Sequence, residues 1–311
     1  MKLCTQKFIE DKIVEIKKTV DNKRAVVAIS GGVDSTTCAV LADRALSNNL
    51  VSIFLDSGLM RERDEKEVLA VGEKIGIPVK VVRVAEKFFT ALKGKVDPEE
   101  KRKAFRECFY QTLAQLVKKE RANFLIQGTI AADIKETKGG IKTQHNVLEQ
   151  IGIDPKKYGF SVIEPLRDLY KPEVRKIARV LGLPKEVFTR QPFPGPGLAA
   201  RIIGEVTPKR TRIERLASEI IEEELVNLKP FQCFAVLLSD RATGMVGGKR
   251  LLGKIVAIRS VESEDALIAT ATKVPWRVLE KICQRITKEI PGVIKVLYDL
   301  TPKPPSTIEY I

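Results

Sequence analysis

The segment Ala25–Cys38, AVVAISGGVDSTTC, is the most informative part of this chain of 311 residues. Its first five residues form an apolar run that is typical of a buried strand, and a helical pattern starts near Asp34. Two glycines lie between them, and glycine lets the backbone adopt positive φ and approach a ligand closely. Successive backbone N–H groups in such a turn, next to a helix N-terminus, attract an anion. We therefore expect a phosphate-binding loop at the first strand–helix junction.

Strands and helices alternate on both sides of this loop. Short apolar runs predict strands at 25–29, 50–56, 78–84 and 123–128. Apolar residues at helical spacing predict helices at 9–20, 34–46, 65–76, 98–120 and 172–182. This alternation predicts an α/β fold with a doubly wound, mostly parallel sheet.

The alternation stops at RQPFPGPGLAAR, residues 190–201. Its prolines and glycines disfavour regular structure. An amphipathic helix pattern, three strand patterns at 234–238, 254–261 and 293–300, and a helix pattern at 275–289 follow. They indicate a small C-terminal α+β unit. We therefore expect two domains, at 1–200 and 201–311.

Composition narrows the class of protein further. The formal net charge of +14 favours anionic partners, although most basic residues alternate with acids, as on an ordinary solvated surface. No apolar run approaches the ~18 residues that span a bilayer, and the N-terminal segment has no signal-peptide core. The five cysteines form no CxxC pair, which argues against a zinc site or a disulfide framework. We expect a cytoplasmic protein with no membrane partner.

The glycine loop differs from two common phosphate-binding motifs. No lysine follows its glycines, as the Walker A pattern requires, and it is not a dinucleotide fingerprint. Instead, SGGVDS (30–35) resembles the pyrophosphate loop of the PP-loop ATP pyrophosphatase family. The resemblance implies an adenine nucleotide alpha hydrolase-like fold and cleavage of ATP between its α and β phosphates. We expect the loop and two strand ends to contact ATP through Ser30, Gly31, Gly32, Val33, Asp34, Ser35, Thr36, Asp56 and Gly128.

Downstream segments resemble one branch of that family. They are QGTIAADIKE (127–136), IKTQHN (141–146), IEPLRDLYKPEVRKI (163–177), PFPGPGLAAR (192–201) and VLYDLTPKPPSTIEYI (296–311). Together they are similar to the synthetase part of the GMP synthase family. The resemblance implies that the O2 oxygen of xanthosine 5′-monophosphate (XMP) attacks the α-phosphorus of Mg·ATP and releases pyrophosphate. Ammonia then attacks C2 and expels AMP. For Mg²⁺ the first candidate ligand is Asp34 and the second is Asp133.

The segment 137–150 is expected to be a lid, because the adenylated intermediate would hydrolyse if water reached it. It contains His145, the one histidine of the chain, whose pKa suits proton transfer near neutral pH. An incidental surface histidine is the alternative. Where the family has two successive histidines, this chain has Gln144 before His145, so the role of the first position is in doubt.

Catalytic roles follow from the resemblance for a set of polar residues near the expected cleft. They are Asp133, Glu136, Lys142, His145, Arg167, Asp168 and Lys171. The last three are expected at the start of the helix after IEPL. Ordinary helix-end charge is the alternative interpretation there.

Binding of XMP is expected from residues that match the family at scattered positions. They are Arg102, Thr143, Asn146, Gln232, Arg250, Lys303 and Glu309. The aspartate that the family has two residues before Arg250 is Gly248 here, so one base or ribose contact is in doubt. The resemblance further implies that the small domain completes the nucleotide site and forms a homodimer.

The source of ammonia is expected to be another protein. A glutamine amidotransferase uses a cysteine with a histidine as base, and the single histidine here belongs to the expected lid. A separate amidotransferase subunit is therefore the expected partner, and nucleic acid is not. Two alternatives stay open: a PP-loop enzyme that modifies tRNA, which commonly needs cysteine pairs, and a non-catalytic nucleotide-binding subunit.

Overall fold

The structure is a computed structural model that describes residues 4–131, 159–264 and 266–310. The helices, numbered in chain order among these residues, are α1 Thr5–Val20, α2 Val33–Leu46, α3 Asp64–Lys74, α4 Ala85–Leu92, α5 Pro98–Lys119, α6 Lys171–Val180, α7 Lys185–Thr189, α8 Pro208–Glu224 and α9 Trp276–Glu289. The strands are β1 Ala25–Ala28, β2 Leu50–Asp56, β3 Val79–Arg83, β4 Phe124–Ile126, β5 Ser161–Ile163, β6 Gln232–Val246, β7 Lys249–Glu262, β8 Thr270–Ala271 and β9 Val293–Tyr298.

Contacts group the chain into two compact units. Of the described residues, those within 1–56, 63–84 and 107–190 form the first unit, and those within 57–62, 85–106 and 191–311 form the second. Two short segments that precede residue 107 thus pack with the C-terminal residues. The division into domains at 1–200 and 201–311 is a sequence interpretation and remains a proposal.

The sheet of the first unit is parallel throughout its described strands, in the order β3-β2-β1-β4-β5. Strand β1 lies in the middle, and Ala25, Val26 and Val27 are fully buried. A strand buried on both faces is apolar at nearly every position, which is why AVVA does not alternate between apolar and polar residues. The expected α/β fold with a parallel sheet is confirmed. Strand β5, of three residues, was not predicted.

The strand order changes direction beside β1. The chain proceeds outward from β1 to β2 and β3, and then returns to place β4 on the other side of β1. Segments that leave the carboxyl ends of β1 and β4 therefore diverge, and such a point is where open α/β sheets bind ligands. The glycine loop follows β1, and Gly128 follows β4 shortly after its last residue, Ile126.

The second unit contains a four-stranded sheet built on a long hairpin. Strands β6 and β7 are antiparallel, β8 pairs with β7 antiparallel, and β9 pairs with β7 parallel. Strands at 234–238 and 254–261 were predicted too short, because the outer half of the hairpin, residues 239–253, mixes charged and polar residues with apolar ones. Backbone pairing continues to Val246 and Lys249. Helix α8 begins where the Thr207 hydroxyl accepts a hydrogen bond from the Arg210 amide at 3.3 Å.

The proline-rich segment 190–201 is more regular than its composition predicts. Residues Gly197–Arg201 form a 3-10 helix in which all five residues are buried. Gly197 has φ of +61°, and a Cβ there would lie 2.3 Å from the carbonyl oxygen of Leu59. The expectation that the whole segment lacks regular structure was wrong for these last five residues, because tight packing outweighs local preference.

Among the helices of the described ranges, none combines the length and the apolar character needed to cross a bilayer.

Candidate active site

The glycine loop joins the central strand β1 to helix α2. Gly31 has φ of +81°, a conformation that costs a residue with a Cβ about 1–2 kcal/mol. Gly32 has φ of −72° and ψ of 155° and immediately precedes α2. The backbone N–H groups at the start of α2 have no partner within the helix. The loop therefore offers amide donors and a positive helix terminus to an anion.

Two serine hydroxyls hold the shape of this loop. Ser35 Oγ accepts a hydrogen bond from the backbone N of Ser30 at 3.1 Å and lies 2.9 Å from Ser30 Oγ. The same hydroxyl donates to the carbonyl oxygen of Gly32 at 3.2 Å. Thr36 is fully buried, and its hydroxyl donates to the Gly32 carbonyl oxygen at 2.9 Å. Thr36 therefore supports the first turn of α2 from inside.

Gly128 lies directly against the first turn of α2. A Cβ on Gly128 would be 2.9 Å from both the carbonyl carbon of Asp34 and the backbone N of Ser35. Backbone atoms cannot move aside as a flexible side chain can, so this position requires glycine. Gly128, a predicted ATP contact, thus lies where the segment after β4 packs tightly on the start of α2.

Asp34 and Lys171 form an ion pair in the first unit. Lys171 is the first residue of α6 and pairs with Asp34 Oδ2. The other carboxylate oxygen, Oδ1, is buried and has no hydrogen-bond partner among the described residues. Burying a carboxylate oxygen without a partner is costly, so this atom is suited to receive a ligand. The ion pair thus brings together Asp34, a candidate Mg²⁺ ligand, and Lys171, a candidate catalytic residue.

Arg167 and Asp168 lie in a turn before α6. They were expected at the start of that helix, and the expectation was wrong, because α6 begins only at Lys171. The backbone N of Tyr170 donates to the Glu173 carboxylate at 2.9 Å, which sets the helix start. Arg167 lies 3.5 Å from the Glu164 carboxylate, and Asp168 is exposed.

Asp56 is the last residue of β2, which neighbours β1. Its carbonyl oxygen accepts a hydrogen bond from the backbone N of Val84 at 2.9 Å. The side chain is half-buried at the carboxyl end of the sheet, the edge at which open α/β sheets bind ligands.

The buried thiols of Cys38 and Cys233 are not suited to nucleophilic catalysis. Burial raises the pKa of Cys38, which lies behind the loop and contacts the carbonyl oxygen of Gln127 at 3.4 Å. Burial also raises the pKa of Cys233 to about 11. Because the thiolate is the nucleophile, neither side chain is reactive near neutral pH.

In the second unit, two of the expected XMP-binding residues meet. Gln232 Nε2 donates to Glu309 Oε1 at 2.5 Å. The guanidinium of Arg201 donates to both carboxylate oxygens of Glu309, at 3.1 and 3.0 Å. Arg201 is fully buried, and its guanidinium lies 4.0 Å from the ring centroid of Phe234. Sequence reasoning missed Arg201, although it ends the quoted segment PFPGPGLAAR.

Three other expected XMP residues lie at separate places in the second unit. Lys303 donates through Nζ to the Ala266 carbonyl oxygen at 2.9 Å. Arg250 is exposed near the tip of the β6–β7 hairpin, and Arg102 pairs with Glu99 on α5. Gly247 and Gly248 have φ of +57° and +76° and form the hairpin turn. A two-residue turn with positive φ at both positions favours glycine, which gives Gly248 a local structural role.

The remaining expected residues lie outside the described residues. They are Asp133, Glu136, Lys142, Thr143, Gln144, His145 and Asn146, together with the rest of the expected lid 137–150. In the part of the chain that is described, no group of three or more histidine, cysteine, aspartate or glutamate side chains could hold a metal ion. Mg²⁺ commonly uses only one or two carboxylates together with phosphates and water.

Comparisons with known proteins show which families this chain resembles over its length. The family model described as NAD synthase matches residues 4–196, and the model described as GMP synthase C terminal domain matches residues 218–310. The B subunit of the glutamine-hydrolyzing GMP synthase of Methanopyrus kandleri is 48% identical over 98% of each chain. The proteins of the same name from Archaeoglobus fulgidus and Pyrococcus furiosus are each 49% identical, over 98% of this chain and 99% and 97% of their own.

A parallel sheet with SGGVDS after its central strand defines the PP-loop class of ATP-cleaving α/β enzymes. Within that class, the chain belongs to the family of GMP synthase B subunits.

Proposed function

We propose that the chain synthesises GMP from XMP, ATP and ammonia through an adenylated XMP intermediate, with release of AMP and pyrophosphate. It is a ligase that forms a carbon–nitrogen bond at the expense of ATP, like the family to which it belongs. The observation that carries the proposal is the glycine loop at the carboxyl end of β1, beside a buried oxygen of Asp34 that has no hydrogen-bond partner in the described part of the chain. That arrangement suits a ligand that carries both phosphate and a cation.

The loop contributes to the first step by stabilising charge. When O2 of XMP bonds to the α-phosphorus of ATP, the bond from that phosphorus to the bridging oxygen breaks, and negative charge develops on pyrophosphate. Backbone N–H groups of Gly31 and Val33 and the N-terminus of α2 would donate to that charge. Ammonia then adds at C2, the bond from C2 to the adenylate oxygen breaks, and AMP leaves.

Magnesium fits the carboxylate at this loop. The buried Oδ1 of Asp34 has no hydrogen-bond partner among the described residues, and a hard cation prefers such an oxygen ligand. When bound, Mg²⁺ would neutralise charge on the phosphates. Lys171, which pairs with the second oxygen of Asp34, keeps the carboxylate oriented toward the loop. The second candidate ligand, Asp133, rests on sequence alone.

The lid residues enter the proposal from the sequence. Lys142 would bind a phosphate oxygen, Thr143 and Asn146 would contact XMP, and His145 would accept a proton from ammonium or from the xanthine ring. Asp133 and Glu136 would support adenylation. A closed lid would exclude water, which competes with ammonia for the adenylated intermediate.

The acceptor nucleotide is bound by residues of the second unit, of which Glu309 is the best supported. Its carboxylate is held by Arg201 and Gln232, so it is oriented before any ligand arrives. Arg102, Arg250 and Lys303 would add positive charge for the XMP phosphate.

Glu309→Gln should raise the KM for XMP by about tenfold or more, since one hydrogen bond to a charged group contributes about 1.5–3 kcal/mol. The KM for ATP should stay within about twofold, because the amide keeps the size of the side chain. Steady-state kinetics with each substrate varied in turn measures both values. Glu280→Gln, an exposed change on α9, is the control. An equal rise in both KM values would show that Glu309 acts through folding.

The nitrogen source that the purified chain accepts distinguishes this proposal from an enzyme that hydrolyses glutamine itself. We expect the purified chain to form GMP from XMP, ATP and an ammonium salt, and to form none when glutamine replaces the ammonium. The relatives are named as B subunits of a glutamine-hydrolysing enzyme, and the chain has one histidine to serve as a base. Chromatographic assay of GMP and AMP measures the outcome. Sustained GMP formation from glutamine alone would overturn the separate-subunit proposal.

A homodimer formed by the C-terminal residues is part of the proposal. Several large apolar side chains of the second unit are exposed: Met245, Leu251, Leu252, Leu267, Ile268, Trp276, Leu297 and Leu300. Exposed apolar surface of this kind favours association, which light scattering on the purified chain can measure. Cytoplasmic residence is proposed because the five cysteines are free thiols, as in a reducing compartment.

A further inference from the structure

Arg190 connects the glycine loop to helix α3. It follows the last residue of α7, and its side chain is 14% exposed. One guanidinium nitrogen, Nη1, donates to the carbonyl oxygen of Ser30 at 3.3 Å. The other, Nη2, pairs with Asp64, whose side chain is fully buried, and lies 3.5 Å from the Glu67 carboxylate. All these residues belong to the first unit.

The guanidinium lies directly on the backbone of Gly31. A Cβ at Gly31 would be 1.8 Å from Arg190 Nη1 and 2.9 Å from Val68 Cγ2. This side of Gly31 is therefore filled by protein, which leaves the opposite side of the loop for a ligand.

The bond to Ser30 controls the direction of the next amide. In a trans peptide the C=O of one residue and the N–H of the following residue point in opposite directions. Because the Ser30 carbonyl oxygen is held by Arg190, the Gly31 N–H must point away from Arg190.

We propose that Arg190, itself held by Asp64, is a positioning residue that orients the Gly31 amide toward a pyrophosphate-type ligand. The proposal rests on the proposed function for the identity of that ligand. Neither Arg190 nor Asp64 carries a signal in the sequence that marks it for this role.

Arg190 acts by orienting the Gly31 amide and not by adding its positive charge to the loop. Two carboxylates, Asp64 and Glu67, face the guanidinium and offset most of its field at the loop. Arginine has a planar fork that can donate to the Ser30 carbonyl oxygen and to Asp64 at once, whereas the single ammonium group of lysine cannot reproduce that geometry.

The test is calorimetric binding of inorganic pyrophosphate and, separately, of AMP to the full chain. Arg190→Met and Arg190→Lys should each weaken pyrophosphate binding by about tenfold or more, the loss expected for a misdirected hydrogen bond to a charged group. Binding of AMP, which lacks the β and γ phosphates, should change by less than about twofold. Arg175→Met, an exposed change on α6, is the matched control and should affect neither ligand.

Three outcomes with the single variants would overturn the proposal. They are unchanged pyrophosphate affinity in Arg190→Met, full rescue by lysine, which would indicate charge, and an equal loss for AMP, which would indicate a general structural role. A wild-type chain that does not bind pyrophosphate would also overturn it. Failure of the proposed function would instead appear as absence of XMP-dependent AMP formation by the wild type, which calorimetry does not measure.

A second substitution provides the control for misfolding of Arg190→Met. Arg190→Met removes the guanidinium that pairs with the buried Asp64 carboxylate, and loss of one partner of a buried ion pair can prevent folding. The double variant Arg190→Met/Asp64→Asn removes both charges together. We expect the same loss of pyrophosphate affinity in it, with AMP binding retained, and wild-type pyrophosphate affinity in this variant would likewise contradict the positioning role.

Discussion

Gly31→Ala is expected to lower XMP-dependent pyrophosphate release by roughly 10²–10³, the loss typical of removing one oriented stabilising group. Two physical causes add. The backbone at Gly31 has φ of +81°, which is strained for any residue with a Cβ. The new Cβ would also meet Arg190 Nη1 at 1.8 Å, so either the loop or the arginine must move. Coupled detection of released pyrophosphate measures the effect.

Gly32→Ala is the matched control for that change. Gly32 has φ of −72° and ψ of 155°, which any residue can adopt. A Cβ there would lie 3.4 Å from Ser30 Oγ, its nearest neighbour. We therefore expect Gly32→Ala to keep the loop conformation and to retain activity within roughly tenfold of the wild type. Equal loss in both variants would show that the positive φ at Gly31 is not what the reaction requires.

Asp34→Asn is expected to reduce turnover by roughly 10²–10³ and to raise the Mg²⁺ concentration needed for half-maximal activity. The amide keeps the shape of the side chain, but it removes the negative charge that favours a divalent cation. It also breaks the ion pair with Lys171. A Mg²⁺ titration at saturating ATP and XMP measures both effects. Near-wild-type turnover at low Mg²⁺ would exclude Asp34 as the metal ligand.

Two further variants separate the roles of Asp34. Asp43→Asn makes the same change near the other end of α2 and should leave the Mg²⁺ requirement unchanged. Lys171→Met removes the partner but keeps the Asp34 carboxylate. If Asp34 acted only by holding Lys171, Lys171→Met would lower turnover as much as Asp34→Asn does, and neither variant would change the Mg²⁺ requirement.

Local sequence patterns predicted most elements of the first unit. The buried runs at β1 and β2 are apolar at nearly every position, and helices such as α2 and α5 are long enough for their periodicity to be recognised. Strands β5 and β8 have three and two residues and carry no recognisable period. The exposed half of the β6–β7 hairpin was also missed, since its pairing depends on the partner strand and not on burial.

Motifs and local patterns were sufficient to predict the phosphate loop, the order of α/β elements and the family, because each depends on residues close together in the chain or on a specific motif. The folded chain was needed to see that β4 returns beside β1 and that Gly128 packs on α2. The same is true of the contacts of Arg190 with Asp64 and of Arg201 with Glu309, pairs separated by 126 and 108 residues. Such contacts arise from topology, because side chains distant in sequence meet only after the strands have paired, and no local pattern of charge or periodicity specifies which of them will meet.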